Sequence, residues 1–94
     1  MLLMKFDKGE RFYKENEDNE KIAEITYKAA EEGVVETDHT FVDPSLRGQG
    51  VAEKLVDRLV EEMEKEGKKI RPVCPYVVKL FERKPEKYGH IAVD

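Results

Sequence analysis

Val42-Asp43-Pro44-Ser45-Leu46-Arg47-Gly48-Gln49-Gly50-Val51-Ala52, running directly into Glu53 to Glu66, decides the fold of this 94-residue chain. The order is that of a strand end, a turn, a glycine-bearing loop and a helix N-terminus. Such a loop aims several backbone N–H groups at one point and suits an anion, phosphate first. Gly48 and Gly50 supply the backbone angles and close approach that consecutive inward-pointing amides require. Beyond them, Ala52, Leu55, Val56, Leu59, Val60 and Met63 recur at the i, i+3, i+4 spacing of one helical face, while Glu53, Lys54, Asp57, Arg58, Glu61, Glu62 and Lys65 take the other. The loop therefore opens an amphipathic helix. Its first turn has unpaired amides and the positive dipole end, worth a few tenths to about 1 kcal/mol toward an exposed anion.

Three phosphate-loop patterns can be tested on these residues. A P-loop needs lysine and then serine or threonine after its second glycine, where this chain has Val51 and Ala52. A dinucleotide fingerprint needs a small residue three positions after its second glycine, where Glu53 stands, and too little chain follows for a Rossmann domain. The remaining pattern, Arg47-x-x-Gly50-x-Ala52, resembles the acetyl-coenzyme A loop of the GNAT N-acetyltransferase superfamily, R/Q-x-x-G-x-G/A, at every defined position. The plainer alternative is a helix entered through a flexible turn.

Ninety-four residues make one domain, expected to span 1–94, with a single modest core. The composition is 39% hydrophobic and 40% charged, with 17 basic and 21 acidic residues interspersed, as on a well-solvated globular surface. A net charge of -4 opposes binding to a phosphate backbone, so no nucleic-acid partner is expected. Met1-Leu2-Leu3-Met4-Lys5-Phe6 is too short for a signal or a membrane span, which leads us to expect a cytoplasmic protein without a membrane partner. The one cysteine, Cys74, can form no internal disulfide, in keeping with a reducing compartment. Together with His39 and His90 it lacks the clustered spacing of a zinc site, and no metal is expected.

Leu2 to Phe6 and Glu10 to Lys14 read as a hairpin around Asp7-Lys8-Gly9, followed by the polar turn Glu15 to Asn19. Ala23, Ile25 and Tyr27 alternate with Glu24, Thr26 and Lys28 as in a half-buried strand. After Gly33, Val34 to Val42 returns as the next strand and stops at Asp43-Pro44. The main helix runs to about Glu66, with Gly67 as its C′ residue. Ile70 to Cys74 is a short strand. Tyr76 to Arg83 is a second helix, with Pro75 in its first turn and Pro85 stopping it. Tyr88 to Val93 is a last strand or an ordered tail. The expected class is α+β, a mostly antiparallel sheet with two helices.

This order, β-β-β-β-α-β-α, resembles a minimal GNAT fold over roughly residues 20–84. The Asp38-His39-Thr40 strand, the Gly48-Gln49-Gly50 loop and Cys74 after the helix are similar to the very short single-domain subgroup. The resemblance implies acetyl-CoA as cofactor. It assigns Thr40, Phe41 and Val42 to the pantetheine and acyl region, and Arg47, Gly48, Gln49, Gly50, Val51 and Ala52 to the pyrophosphate. Many members carry a tyrosine in the second helix that protonates the departing sulfur. Phe81 stands at that place here and has no proton to give, which leaves Tyr76 and Tyr88 as substitutes.

Cys74 is the sharper candidate for the reaction centre, because a thiolate beside a helix N-terminus is favoured by the dipole. Its plain reading is a small buried hydrophobe. His39 can exchange a proton near neutral pH and could be oriented by Asp38. Strand alternation places His39 and Thr40 on opposite faces. The sequence thus reads as an acetyl-CoA-dependent acyltransferase acting on an unidentified acceptor, directly or through a cysteine thiol. The alternative is a module that only binds CoA. A sheet edge this short allows either a monomer or a weak homodimer.

Overall fold

The structure is a computed structural model that describes residues 4–93. Five strands follow one another across a single sheet in chain order: Met4–Asp7 (β1), Arg11–Glu15 (β2), Lys21–Glu31 (β3), Val34–Val42 (β4) and Lys69–Pro72 (β5). The first four pair antiparallel, and β4 with β5 is parallel. A parallel return needs a crossover, supplied by the helix Val51–Glu66 (α1). Two further helices, Pro75–Arg83 (α2) and Pro85–Tyr88 (α3), close the domain at the β5 edge. Leu2 and Leu3, the start of the expected first strand, lie outside the described residues.

Local chemistry accounts for most boundaries. Asn16 holds the β2–β3 turn by accepting on its side-chain oxygen from the amides of Asp18 and Glu20, at 2.9 and 3.0 Å. At the end of α1, Gly67 takes a left-handed conformation (φ 69°) and its N–H closes on Glu64. Leu55, Val56, Leu59, Val60 and Met63 of the expected amphipathic face are buried against Phe12, Ala23, Ile25, Tyr27, Val35 and Ile70 of the sheet, with Val51 buried in place of the expected Ala52, which is only half-buried. Each large side chain removed from water here stabilises by about 1.5–3 kcal/mol relative to leaving it exposed.

The other face of the sheet carries ion pairs in place of a packed layer. Arg11, opposite Thr26, bonds Asp7 at 2.7 Å and Glu24 at 3.0 Å, and Lys21 adds a 2.9 Å contact to Glu24. Glu24 therefore departs from the expected alternation: it is buried, with only 6% of its surface exposed, because two cations satisfy it there. Burial pushes its carboxyl up, but the hydrogen bonds from Lys21 and Arg11 outweigh this and hold it below the ordinary glutamate value.

Three details near the C-terminus differ from expectation. The strand β5 ends at Pro72, so Cys74 is the N-cap residue of α2 and not a strand residue. A third helix, α3, follows Pro85, and Tyr88 is its last residue. The expected final strand reduces to a parallel bridge between Ile70 and Ala92, with Val93 N donating to the Ile70 carbonyl at 2.9 Å. Among the described residues, no helix is long and apolar enough to cross a membrane.

Candidate active site

The site begins with a change of partners along β4. Val34–Thr37 pair with Lys69–Pro72 of β5 on one side and with β3 on the other. The Thr37 carbonyl then accepts from both Val73 N (3.0 Å) and Cys74 N (2.8 Å). Immediately afterwards Pro75 opens α2, and the chain turns away. Beyond Thr37, β4 therefore pairs with β3 alone among the described residues, which leaves the backbone groups of one edge without a strand partner there.

A bulge re-phases the strand at the same point. Tyr27 pairs with Thr37 and Thr26 with His39, so Asp38 is the extra residue. Thr40 and Val42 share the helix-covered face with Ile25 and Ala23, while His39 and Phe41 lie opposite, beside Thr26 and Glu24. Cys74 meets the first group: its Sγ lies 3.4 Å from Thr40 Oγ1, and the residue is buried. His39 is exposed on the other face. The two residues expected to share the reaction centre are thus separated by the strand. Asp38 does not orient His39, since its Oδ1 accepts from Thr26 Oγ1 at 2.6 Å.

The loop after β4 is fixed by Asp43, which accepts from Ser45 N at 3.0 Å and Ser45 Oγ at 2.5 Å and starts the 3₁₀ turn Pro44–Leu46. Those bonds, with a smaller contribution from Arg47, hold its carboxyl below the usual aspartate value. The amides of Leu46, Arg47 and Gln49 are used within the turn. Among the described residues, those of Gly48, Gly50, Val51, Ala52 and Glu53 find no acceptor, as the first turn of a helix dictates. Gly48 and Gly50 have φ of 84° and 70°, which side-chain-bearing residues rarely adopt. A Cβ built at either would meet no protein atom within 4 Å, so the space around them stays open to an approaching ligand.

A concavity of about 220 Å³ lies over these amides, lined by Val42, Leu46, Arg47, Gly48, Gly50, Val51, Ala52 and Tyr76. Six of the nine residues expected to hold a cofactor are thereby brought together. Gln49 does not line it; its side-chain nitrogen faces the Ser45 carbonyl at 3.5 Å. Thr40 and Phe41 continue along β4. Leu46 and Tyr76 are additions to the expected wall. Tyr76 is half-buried, and burial, followed by the nearby Glu53 charge, raises its pKa, so it keeps its proton.

The other aromatic candidates are structural. Tyr88 is buried and donates to Asp57 Oδ1 at 2.5 Å, while its ring stacks on Phe81 with centroids 4.8 Å apart. Next to the loop, Glu53 is held by Lys84 and Lys87, both 2.9 Å from its Oε2, and these bonds, Lys87 first, bring its carboxyl down to about 2.

Comparison with known proteins bears on this geometry. The family of GCN5-related N-acetyltransferases matches residues 11–91. No curated protein matches the chain. Among solved structures, a GCN5-like candidate N-acetyltransferase from Staphylococcus aureus is 32% identical over 98% of this chain and 88% of its own, with a TM-score of 0.81. A candidate acetyltransferase from Agrobacterium tumefaciens is 27% identical over 88% of this chain, with a TM-score of 0.61. The Escherichia coli GNAT protein YhbS, solved in complex with CoA, shares the fold at 19% identity and a TM-score of 0.55 over 62% of this chain. The chain spans 57% of the Agrobacterium protein and 35% of YhbS.

Proposed function

This chain belongs to the GCN5-related N-acetyltransferase family, and from that premise we propose that it binds acetyl-CoA along the open half of β4 and moves the acetyl group to an amine. Family members use acetyl-CoA, and a protein of the same fold was solved with CoA bound. The observation that carries the reading is the coincidence of two unmet hydrogen-bonding surfaces. The amides of Gly48, Gly50, Val51, Ala52 and Glu53 find no acceptor among the described residues, and the adjoining edge of β4 has no strand partner among them past Thr37.

In this reading Arg47, Gly48, Gln49, Gly50, Val51 and Ala52 surround the pyrophosphate, and Thr40, Phe41 and Val42 follow the pantetheine. Bound there, acetyl-CoA supplies an activated acyl thioester. A free amide of the β4 edge can donate to the carbonyl oxygen as negative charge develops on it. Cys74, against Thr40 at the inner end of the open half, stands at the acyl end of that path. Its thiol can line the acyl pocket or, as thiolate, take the acetyl group before an amine attacks and removes it. Phe81 has no proton to give, so the departing thiolate needs another donor. Neither tyrosine is given that step: Tyr76 lines the concavity over the loop amides, where the pyrophosphate is read, and Tyr88 is committed to Asp57. His39, across the strand from Cys74, is given no step.

Phe81 in place of a proton donor favours a second reading, a module that binds CoA without turnover. Intact-mass measurement after mixing with acetyl-CoA, with Cys74→Ala alongside, separates the two. Cysteine-dependent acetylation or release of free CoA is the expected result. Binding by calorimetry with neither product would leave the module, and no binding at millimolar acetyl-CoA would remove both.

A further inference from the structure

The last paired residue of β4 carries a buried hydroxyl that the fold leaves unused. Thr37 is fully buried, and its Oγ1 finds no hydrogen-bond partner among the described residues. Arg58 Nη1 and Glu66 Oε2 are in the same state, but both belong to partly exposed side chains of α1. A hydroxyl without a partner costs free energy in a core, where valine would fill the same space without that cost. The position therefore calls for a state of the protein in which the hydroxyl is used.

Cys74 is the neighbour that provides such a state. Its N–H donates to the Thr37 carbonyl at 2.8 Å, which sets the two residues side by side. Thr37 pairs with the buried Tyr27 and Thr40 with the buried Ile25, so the two threonines flank the Asp38 bulge on the helix-covered face. Cys74 Sγ reaches that face and donates its S–H to Thr40 Oγ1 at 3.4 Å. The resting thiol is thereby satisfied by one threonine, while the other, on the residue that its own backbone bonds, is unengaged. Once the thiol gives up its proton, the sulfur is an acceptor only and needs donors. The amides of Tyr76 and Val77, in the first turn of the helix that Cys74 caps, have no acceptor among the described residues and meet part of that need. The rotatable O–H of Thr37 meets the rest.

We propose that Thr37 is a positioning residue for Cys74: its hydroxyl turns to donate to the sulfur when the thiol gives up its proton, holding the sulfur ready to take an acyl group. Its consequence for turnover rests on the cysteine route above. Passing acetyl from the CoA sulfur to Cys74 breaks one C–S bond and forms another. The proton that Cys74 gives up matches the one that the departing CoA thiolate takes, so the exchange needs no net acid. What it needs is a sulfur stabilised as an anion, which suits a chain with Phe81 where a proton donor is expected.

Cys74 is the one cysteine of the chain, so its alkylation by iodoacetamide, in which the sulfur displaces iodide and the proton passes to buffer, can be followed by intact mass without acetyl-CoA. At fixed pH, Thr37→Val should slow the reaction about tenfold, the scale of a hydrogen bond to a charged group, and should raise the urea midpoint of unfolding because an unpartnered hydroxyl has gone. Thr37→Ser keeps the hydroxyl and should keep most of the rate. With acetyl-CoA, turnover of Thr37→Val should fall in parallel while CoA affinity stays unchanged. Equal alkylation rates in the wild type and Thr37→Val would overturn the inference, and so would a lower unfolding midpoint in Thr37→Val, the mark of a hydroxyl already bonded in the resting fold. No alkylation of the folded wild type on the time scale at which the urea-unfolded chain reacts would also overturn it. Alkylation that depends on Thr37 in a chain that takes no acetyl group from acetyl-CoA would support the contact and overturn the cysteine route alone.

Discussion

The two halves of β4 are one strand with two fates. Val34–Thr37 lie between β3 and β5, and Val35 and Thr37 are buried there. Asp38–Val42 keep β3 on one side and, among the described residues, have no strand on the other; none of them is buried. Composition does not separate the halves, since both are rich in threonine and β-branched or aromatic residues. The difference is made by the neighbour. Pro72 ends β5, the Thr37 carbonyl takes the last two amides, and Pro75 starts a helix that carries the chain away. The strand is scaffold where its edge hydrogen bonds are met and a binding surface where they are not.

That contrast can be broken most forcefully from the scaffold side. Ile70 on β5 is fully buried opposite Val35, and Ile70→Ala should cost about 2–5 kcal/mol of stability, read by urea or thermal unfolding. Phe41→Ala, in the open half, should cost far less stability while weakening CoA binding. At the end of the open half, Gly50→Val forces a β-branched residue to a φ of 70°. We expect acetyl-CoA affinity to fall on the order of a hundredfold, with the helical circular dichroism of α1 retained. Unchanged affinity would remove the phosphate assignment.

Cys74 sits at the junction of the halves. Cys74→Ala should lower turnover by roughly ten- to a hundredfold with affinity for CoA nearly intact, and loss of affinity with unchanged turnover would make it a wall residue. A smaller effect comes from Glu24, which pairs with Phe41 of the open half. Its folded-state pKa is depressed, so it stabilises above the ordinary glutamate value of about 4.3 and loses that contribution as the pH falls through its folded value. Glu24→Gln should reduce stability at neutral pH by about 1 kcal/mol and flatten its decline in acid, measured by urea unfolding across pH. Smallest of all, His39→Ala should leave turnover within about twofold, because the bulged strand lies between it and Cys74. A larger loss would place the chemistry on the opposite face.

The loop and its helix are legible in the sequence because their signals are local: a turn at Asp43-Pro44, glycines at 48 and 50, and an apolar face with the helical period. The bulge at Asp38 is not legible, since it depends on the register that β3 imposes from more than ten residues away. Glu24 reads as a solvated strand residue because its burial comes from Arg11 and Lys21 folding over it. The short helix α3 has too few residues for a periodic signal. Its contacts to α1 are tertiary: Tyr88 with Asp57 and Lys87 with Glu53. Tyr76 enters the cavity wall only once Cys74 caps α2 and fixes that helix against the loop.

The most direct test of the central contrast is an NMR titration of the backbone amides with acetyl-CoA. The account predicts large shifts and added exchange protection at Thr40, Phe41 and Val42 and at Gly48 to Ala52, with Val34–Thr37 unchanged. Shifts confined to the paired half, or equal along all of β4, would contradict it.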